Sequence, residues 1–111
     1  MCIAMNTINR TLLIVIPKKP YLDWAKRFNI EIAAGEHSAY LIPEKYDEYN
    51  YKNYLEKYFL DIFESELYGI LKDHDFYPEK RDYKTFNKLF ETHACDTVFD
   101  LGSDPIEIEE F

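Results

Sequence analysis

DEYNYKNYLEKYFLDIFESELYGIL, Asp47 to Leu71, is the longest periodic stretch of the chain, and the fold is read outward from it. Leu55, Phe59, Ile62, Phe63, Leu67, Ile70 and Leu71 recur at the three- and four-residue spacing of one helix face. Asn53, Lys57, Asp61 and Glu64 fall opposite, on the face expected to be wet. Lys57 precedes Asp61 by four residues, the weaker orientation for an ion pair, so that face contributes more to solubility than to stability. Proline is absent from the interior, and Gly69 comes only near the end. The spacing predicts one helix with Asp47 as its N-cap, long enough to span a small domain.

Glu66 breaks the stripe. At about 100° per residue it points with Phe59, Ile62 and Ile70. A carboxylate placed there either meets a partner or stays protonated. Arg10 and Arg81 are the candidate partners. Two readings are open: a buried acid in a pocket or at an interface, or a structural ion pair or a stripe that drifts so that Glu66 reaches its rim.

Tyrosine is the compositional anomaly, with ten in 111 residues. Tyr46, Tyr49, Tyr51, Tyr54 and Tyr58 crowd the start of the long helix and its approach. Tyr51, Tyr54 and Tyr58 are expected to share one side, flanking the Leu55/Ile62 stripe. Tyrosine suits protein interfaces because its ring buries well while its hydroxyl tolerates water. The alternative is a broad helix edge packed under loops.

Upstream, Thr11 to Ile16 is an apolar run ended by Pro17 and reads as a central strand. It is covered on both sides, or on one side with a dimer partner on the other. Pro17-Lys18-Lys19-Pro20 turns the chain into a short helix, Tyr21 to Phe28, with Asn29 as its stop. Trp24, the only tryptophan, is either a ring on which a partner stacks or an anchor for this helix. Ile30 to Ala34 is a possible fourth strand. Ala39 to Ile42, closed by Pro43, suits a sheet edge.

Downstream, Lys72 to Arg81 is a polar connection. Asp82 caps a third helix, Tyr83 to Glu91, striped by Tyr83, Phe86, Leu89 and Phe90. Cys95 to Leu101 is the last strand, with Cys95, Thr97, Phe99 and Leu101 on one face. Residues 1–103 thus read as one α+β domain of order β-α-β-α-α-β. A three- to four-stranded sheet is layered against helices as a two-layer sandwich, and the first two strands pair either parallel or antiparallel. Residues 104–111 form an acidic tail in which Ile106, Ile108 and Phe111 alternate with carboxylates. It is either a solvated end or a segment that docks on a partner or adds to a sheet edge.

Hydrophobic residues make up 47% of the chain and aromatics 17%, ample for a core. A net charge of −8 disfavours nucleic acid and anionic membrane as partners, since both require a basic footprint. Cys2 and Cys95 are too few to staple a secreted domain and are expected to be reduced thiols. Neither a signal-like nor a membrane-length run is found, which points to the cytoplasm. Met5 is an alternative start.

The segments Asn9-Arg10, Pro17-Lys18-Lys19-Pro20-Tyr21-Leu22-Asp23-Trp24, Tyr40-Leu41-Ile42-Pro43-Glu44, Pro78-Glu79-Lys80-Arg81-Asp82-Tyr83 and Val98-Phe99-Asp100-Leu101, with Phe86 and Phe90, carry a resemblance. Over most of its length the chain resembles a family of small uncharacterised bacterial proteins. The resemblance implies a bacterial, cytoplasmic origin and no activity. The chain departs from that family in lacking tryptophans near Tyr77 and Leu89.

Asp73-His74-Asp75 and His93-x-Cys95 are the metal-like groupings. His93 and Cys95 would share a strand face, and His74 with a neighbouring aspartate would complete a zinc site. Histidines in a solvated loop account for the same residues. No nucleophile motif, phosphate loop or cofactor signature is present. The expectation is a non-enzymatic protein-interaction or self-associating module using the tyrosine-rich helix edge. The alternatives are a metal-binding protein or enzyme built on His74, His93 and Cys95, and a small-ligand site at Glu66.

Overall fold

The computed structural model describes residues 6–33 and 35–110; Cys2, the alternative start at Met5, Ala34 and Phe111 lie outside them. The elements are β1 (Asn6–Ile8), β2 (Arg10–Pro17), α1 (Lys19–Lys26), β3 (Ser38–Pro43), α2 (Tyr51–Ile70), a 3-10 turn (His74–Phe76), α3 (Tyr83–Leu89), β4 (Phe90–Cys95) and β5 (Val98–Asp100). This is an α+β fold with one three-stranded sheet in the order β3-β2-β4 and a two-stranded sheet of β1 and β5. Every strand pairing is antiparallel, which decides between the two returns open for the first strand pair.

The two sheets are one bent ribbon. Ile8 pairs with Val98 and Leu12 with Cys95, so Asn9, Arg10 and Thr11 oppose only Asp96 and Thr97. One extra residue on the first strand is a bulge, and a bulge bends and twists the strand that carries it. The expected single strand Cys95 to Leu101 is therefore corrected to two, β4 and β5, broken at Asp96-Thr97. β4 begins at Phe90, so Phe90 and Glu91, expected as the end of the third helix, are instead its first two residues. Ile30 to Ala33 form no strand.

β2 is central, as its apolar sequence requires. Thr11, Leu13 and Val15 are buried on one face, whereas Leu12, Ile14 and Ile16 on the other are half-buried. Only the first face meets helices. Tyr21, Trp24 and Ala25 of α1, Leu55, Ile62, Phe63 and Leu67 of α2, and Phe86 and Leu89 of α3 join Leu13 and Val15 in one core. Burial of this kind contributes about 25 cal/mol per Å² of apolar surface, so a core of three helices on one sheet face is the main source of stability.

α2 begins one turn later than its periodicity suggests. Asp47 Oδ1 accepts from the backbone N of Tyr49 (2.8 Å) and of Asn50 (2.9 Å). The carboxylate thereby holds a turn that precedes the helix instead of capping it. Asn50 takes the N-cap position without a side-chain cap bond. Two other ends follow expectation. Asn29 has φ 60°, the left-handed conformation that stops α1. Asp82 Oδ1 accepts from Thr85 N at 2.8 Å and caps α3. Its carboxyl is held below the usual range, first by the Thr85 side chain and next by the Thr85 backbone N–H.

Candidate functional site

β3 is an edge strand: among the described residues it bonds to β2 on one side and to no strand on the other. Its alternation sends Ser38, Tyr40 and Ile42 toward the helices and Ala39, Leu41 and Pro43 outward. Leu41 is 53% exposed. Pro43 offers no N–H, which confines the pairable stretch to Ser38–Ile42.

Two contacts show how β3 runs along α2. The Tyr40 hydroxyl donates to Glu66 Oε1 at 2.7 Å. At the other end β3 exits through Pro43 to Tyr46, whose ring meets that of Tyr54 at 5.1 Å between centroids. Tyr54, Tyr58, Asp61 and Ser65 share one side of a helix by spacing. That side of α2 borders the open edge of β3.

Tyr46, Tyr54 and Tyr58 form a ladder on this border, with Tyr54 and Tyr58 centroids 4.8 Å apart. Tyr58 is 39% exposed, while Tyr46 and Tyr54 are half-buried. Lys45 Nζ lies 5.3 Å from the Tyr46 ring centre and Lys57 Nζ 5.5 Å from that of Tyr58, within reach of a cation–π attraction. Among the described residues neither lysine is in an ion pair. The Tyr54 phenol is pushed up from its ordinary value, first by burial and then by Tyr58, Asp61 and Tyr46. Behind the ladder, on the outer side, Leu41, Pro43, Asn9, Arg10, Glu44 and Lys45 line a shallow depression of about 580 Å³.

Tyr51 does not belong to this surface. It is only 8% exposed, and its hydroxyl donates to the Thr92 carbonyl of β4 at 3.0 Å. Seven residues separate it from Tyr58, so the two point within about 20° of each other. What differs is the position along the axis, because the first turn of α2 lies under β4. Trp24 is likewise buried, its Nε1 donating to the Phe76 carbonyl at 3.1 Å. It packs edge-on to Phe28 and Tyr77, anchoring α1 to the 3-10 turn.

Glu66 is half-buried and meets neither expected arginine. Arg10 sits opposite Pro43, its guanidinium donating to the Asn9 carbonyl. Arg81 lies over the Tyr77 ring, 5.8 Å from its centre. The partner is Tyr40, and the Tyr21 hydroxyl donates to the Glu66 carbonyl at 2.7 Å. These groups line a cleft of about 180 Å³ with Ser38, Ser65 and Gly69. The Tyr21 phenol is pushed well above its ordinary range, mainly by burial and next by Glu66. The Tyr40 phenol is also raised, chiefly by burial, against a lowering by its bond to Ser65.

The metal-like residues stay apart in role. His74 stacks on Tyr77 in the 3-10 turn at 4.9 Å, whereas His93 and exposed Cys95 stand on β4, with His93 Nε2 3.6 Å from Glu91. Among the described residues no three His, Cys, Asp or Glu side chains are grouped as a metal ion requires. No helix among them is long and apolar enough to cross a membrane. No family model, curated protein or solved structure matches the chain. Sequence reasoning passed over Tyr40, and it counted Tyr46 among the crowded tyrosines without making it an interface candidate. Their signal was the pairing of the β3 edge with tyrosines on both sides of Pro43.

Proposed function

We propose that the chain is a non-enzymatic interaction module that takes an extended protein segment at the free edge of β3, beside the Tyr46/Tyr54/Tyr58 ladder. The observation that carries this reading is a ladder of half-buried Tyr46 and Tyr54 and exposed Tyr58 bordering an unpaired strand edge. An edge strand supplies unpaired N–H and C=O groups, and an added strand satisfies them while its alternate side chains take pockets on either face. Tyrosines give such a strand rigid, amphipathic contact area. Leu41 gives it an apolar neighbour on the outer side.

Capture from native lysate with the tagged chain, read by mass spectrometry, tests the reading. The wild type is expected to retain a stoichiometric partner or further copies of itself, and the Tyr54→Ala/Tyr58→Ala variant to lose them while keeping its far-ultraviolet circular dichroism. An unchanged set of bound proteins in that variant would sink the reading as located.

A second reading is favoured by the cleft at Glu66. Its lining holds carboxylates and hydroxyls and no cation, which suits a small amine. Thermal shift of the wild type but not of Glu66→Gln in the presence of small primary amines would support it, and equal shifts would remove it.

A further inference from the structure

We infer that the segment taken by the β3 edge is the acidic tail of a second copy of this chain, residues Asp104 to Glu110, added as a strand. This rests on the reading of the β3 edge given above and names its occupant. From Asp104 to Glu110 the chain is exposed, and among the described residues its backbone makes no hydrogen bond to another part of the protein. Ile106 is 68% exposed and Ile108 is 89% exposed.

The tail sequence has the period of a strand with two unlike faces. Ile106 and Ile108 fall on one face, Glu107 and Glu109 on the other. The β3 edge has the complementary pair of faces. Outward it shows Leu41 and Pro43, two residues apart, as neighbours for the two isoleucines. On the helix side it shows the tyrosine ladder, with Lys57 over Tyr58 and Lys45 at the corner where Tyr46 meets the outer depression; among the described residues neither lysine is in an ion pair. Glu107 and Glu109 laid on that side meet both lysines and the tyrosine hydroxyls. Two acids limit this favourable stretch: Asp61 beside Tyr54 and Tyr58, and Glu44, which lines the outer depression with Lys45.

The tail is long enough to lie along all of Ser38–Ile42. Eight residues beyond Gly102 extend roughly 26 Å at about 3.3 Å each. Two copies exchanging tails make the same contact twice, as a two-fold dimer requires.

Two charge-reversed full-length variants test this. One carries Lys45→Glu/Lys57→Glu, the other Glu107→Lys/Glu109→Lys. In analytical ultracentrifugation the wild type is expected to dimerise with rising concentration. Each variant alone is expected to self-associate at least about tenfold more weakly, since like charges then face each other. An equal mixture places each tail on an edge of opposite charge, so the mixed dimer returns to within about threefold of the wild-type affinity. That rescue is specific to exchange between copies. A tail folded back on its own chain predicts monomers in every sample, and that result overturns the inference. Variants that dimerise as the wild type does also overturn it. A partner captured from lysate through Tyr54 and Tyr58, by a chain whose tail variants behave as wild type, removes the tail as occupant and leaves the β3 reading standing.

Discussion

The two outer strands of the three-stranded sheet are built differently. β4 leaves α3 without an intervening loop, and its outward residues Glu91, His93 and Cys95 include an acid and an imidazole 3.6 Å apart. Charged side chains are a common way to blunt an edge. β3 carries Ala39, Leu41 and Pro43 outward and is bordered on its helix side by tyrosines. The same sheet therefore has one edge protected by charge and one edge fitted for contact. The burial of Tyr51 agrees with this contrast. Where α2 passes under β4 its tyrosine is sealed in the core, and where α2 runs beside β3 its tyrosines reach solvent.

The largest effect is expected at the ladder. Tyr54→Ala/Tyr58→Ala should weaken association at the β3 edge by about a hundredfold, as loss of two aromatic anchors at a contact does. Glu91→Ala/His93→Ala on the other edge should leave it unchanged. Titration of captured partner or of chain concentration measures both. Equal losses at the two edges would erase the contrast.

A smaller change is expected from Leu41→Lys, which puts a charge on the outer face of β3. Association should fall about tenfold, with little change in melting temperature because Leu41 is already half in water. His93→Lys is the matched control and should do nothing to binding.

The third prediction separates core from surface within one run of tyrosines. Tyr51→Phe removes the bond to the Thr92 carbonyl and should cost about 1 kcal/mol of stability by chemical denaturation. It should leave binding intact. Tyr58→Phe, by contrast, should alter stability by less than half of that.

The fourth prediction concerns pH. Burial raises the Tyr21 and Tyr40 phenols above their ordinary value of 10.0. In the unfolded chain they lose their protons near that value, while in the native state they keep them. The unfolded state then binds fewer protons, so stability is complete below pH 10 and falls as pH rises above it. Denaturant midpoints measured across that range should decline, and most steeply in the wild type. Tyr21→Phe/Tyr40→Phe should flatten the decline.

Much of this was legible in the sequence, for physical reasons. Leu55, Ile62, Phe63 and Leu67 of the stripe are buried, Phe59 is half-buried, and Asn53, Lys57, Asp61 and Glu64 are exposed, because helical period is read directly from spacing. Pro43 marked β3 as an edge, and Asp82 marked the start of α3. β4 was not legible. Its inward residues after Phe90 are Thr92, whose carbonyl accepts from Tyr51, and Ala94, beside Leu13 of β2; neither is a large apolar residue, so no hydrophobic alternation appears. The break at Asn9 hid β1 in the same way, since a bulge shifts the pattern by one residue. At Glu66 the odd residue was recognised but its partner was not. Charge suggested an arginine, whereas the carboxylate accepts from Tyr40, whose neighbourhood depends on how β3 lies along α2.

Amide hydrogen exchange, compared between the free chain and the captured complex, tests the difference between the edges most directly. The account predicts slower exchange in Ser38 to Ile42 on binding, with Glu91 to Cys95 unchanged. Protection that falls on β4, or that leaves β3 exchanging as fast as in the free chain, would contradict it.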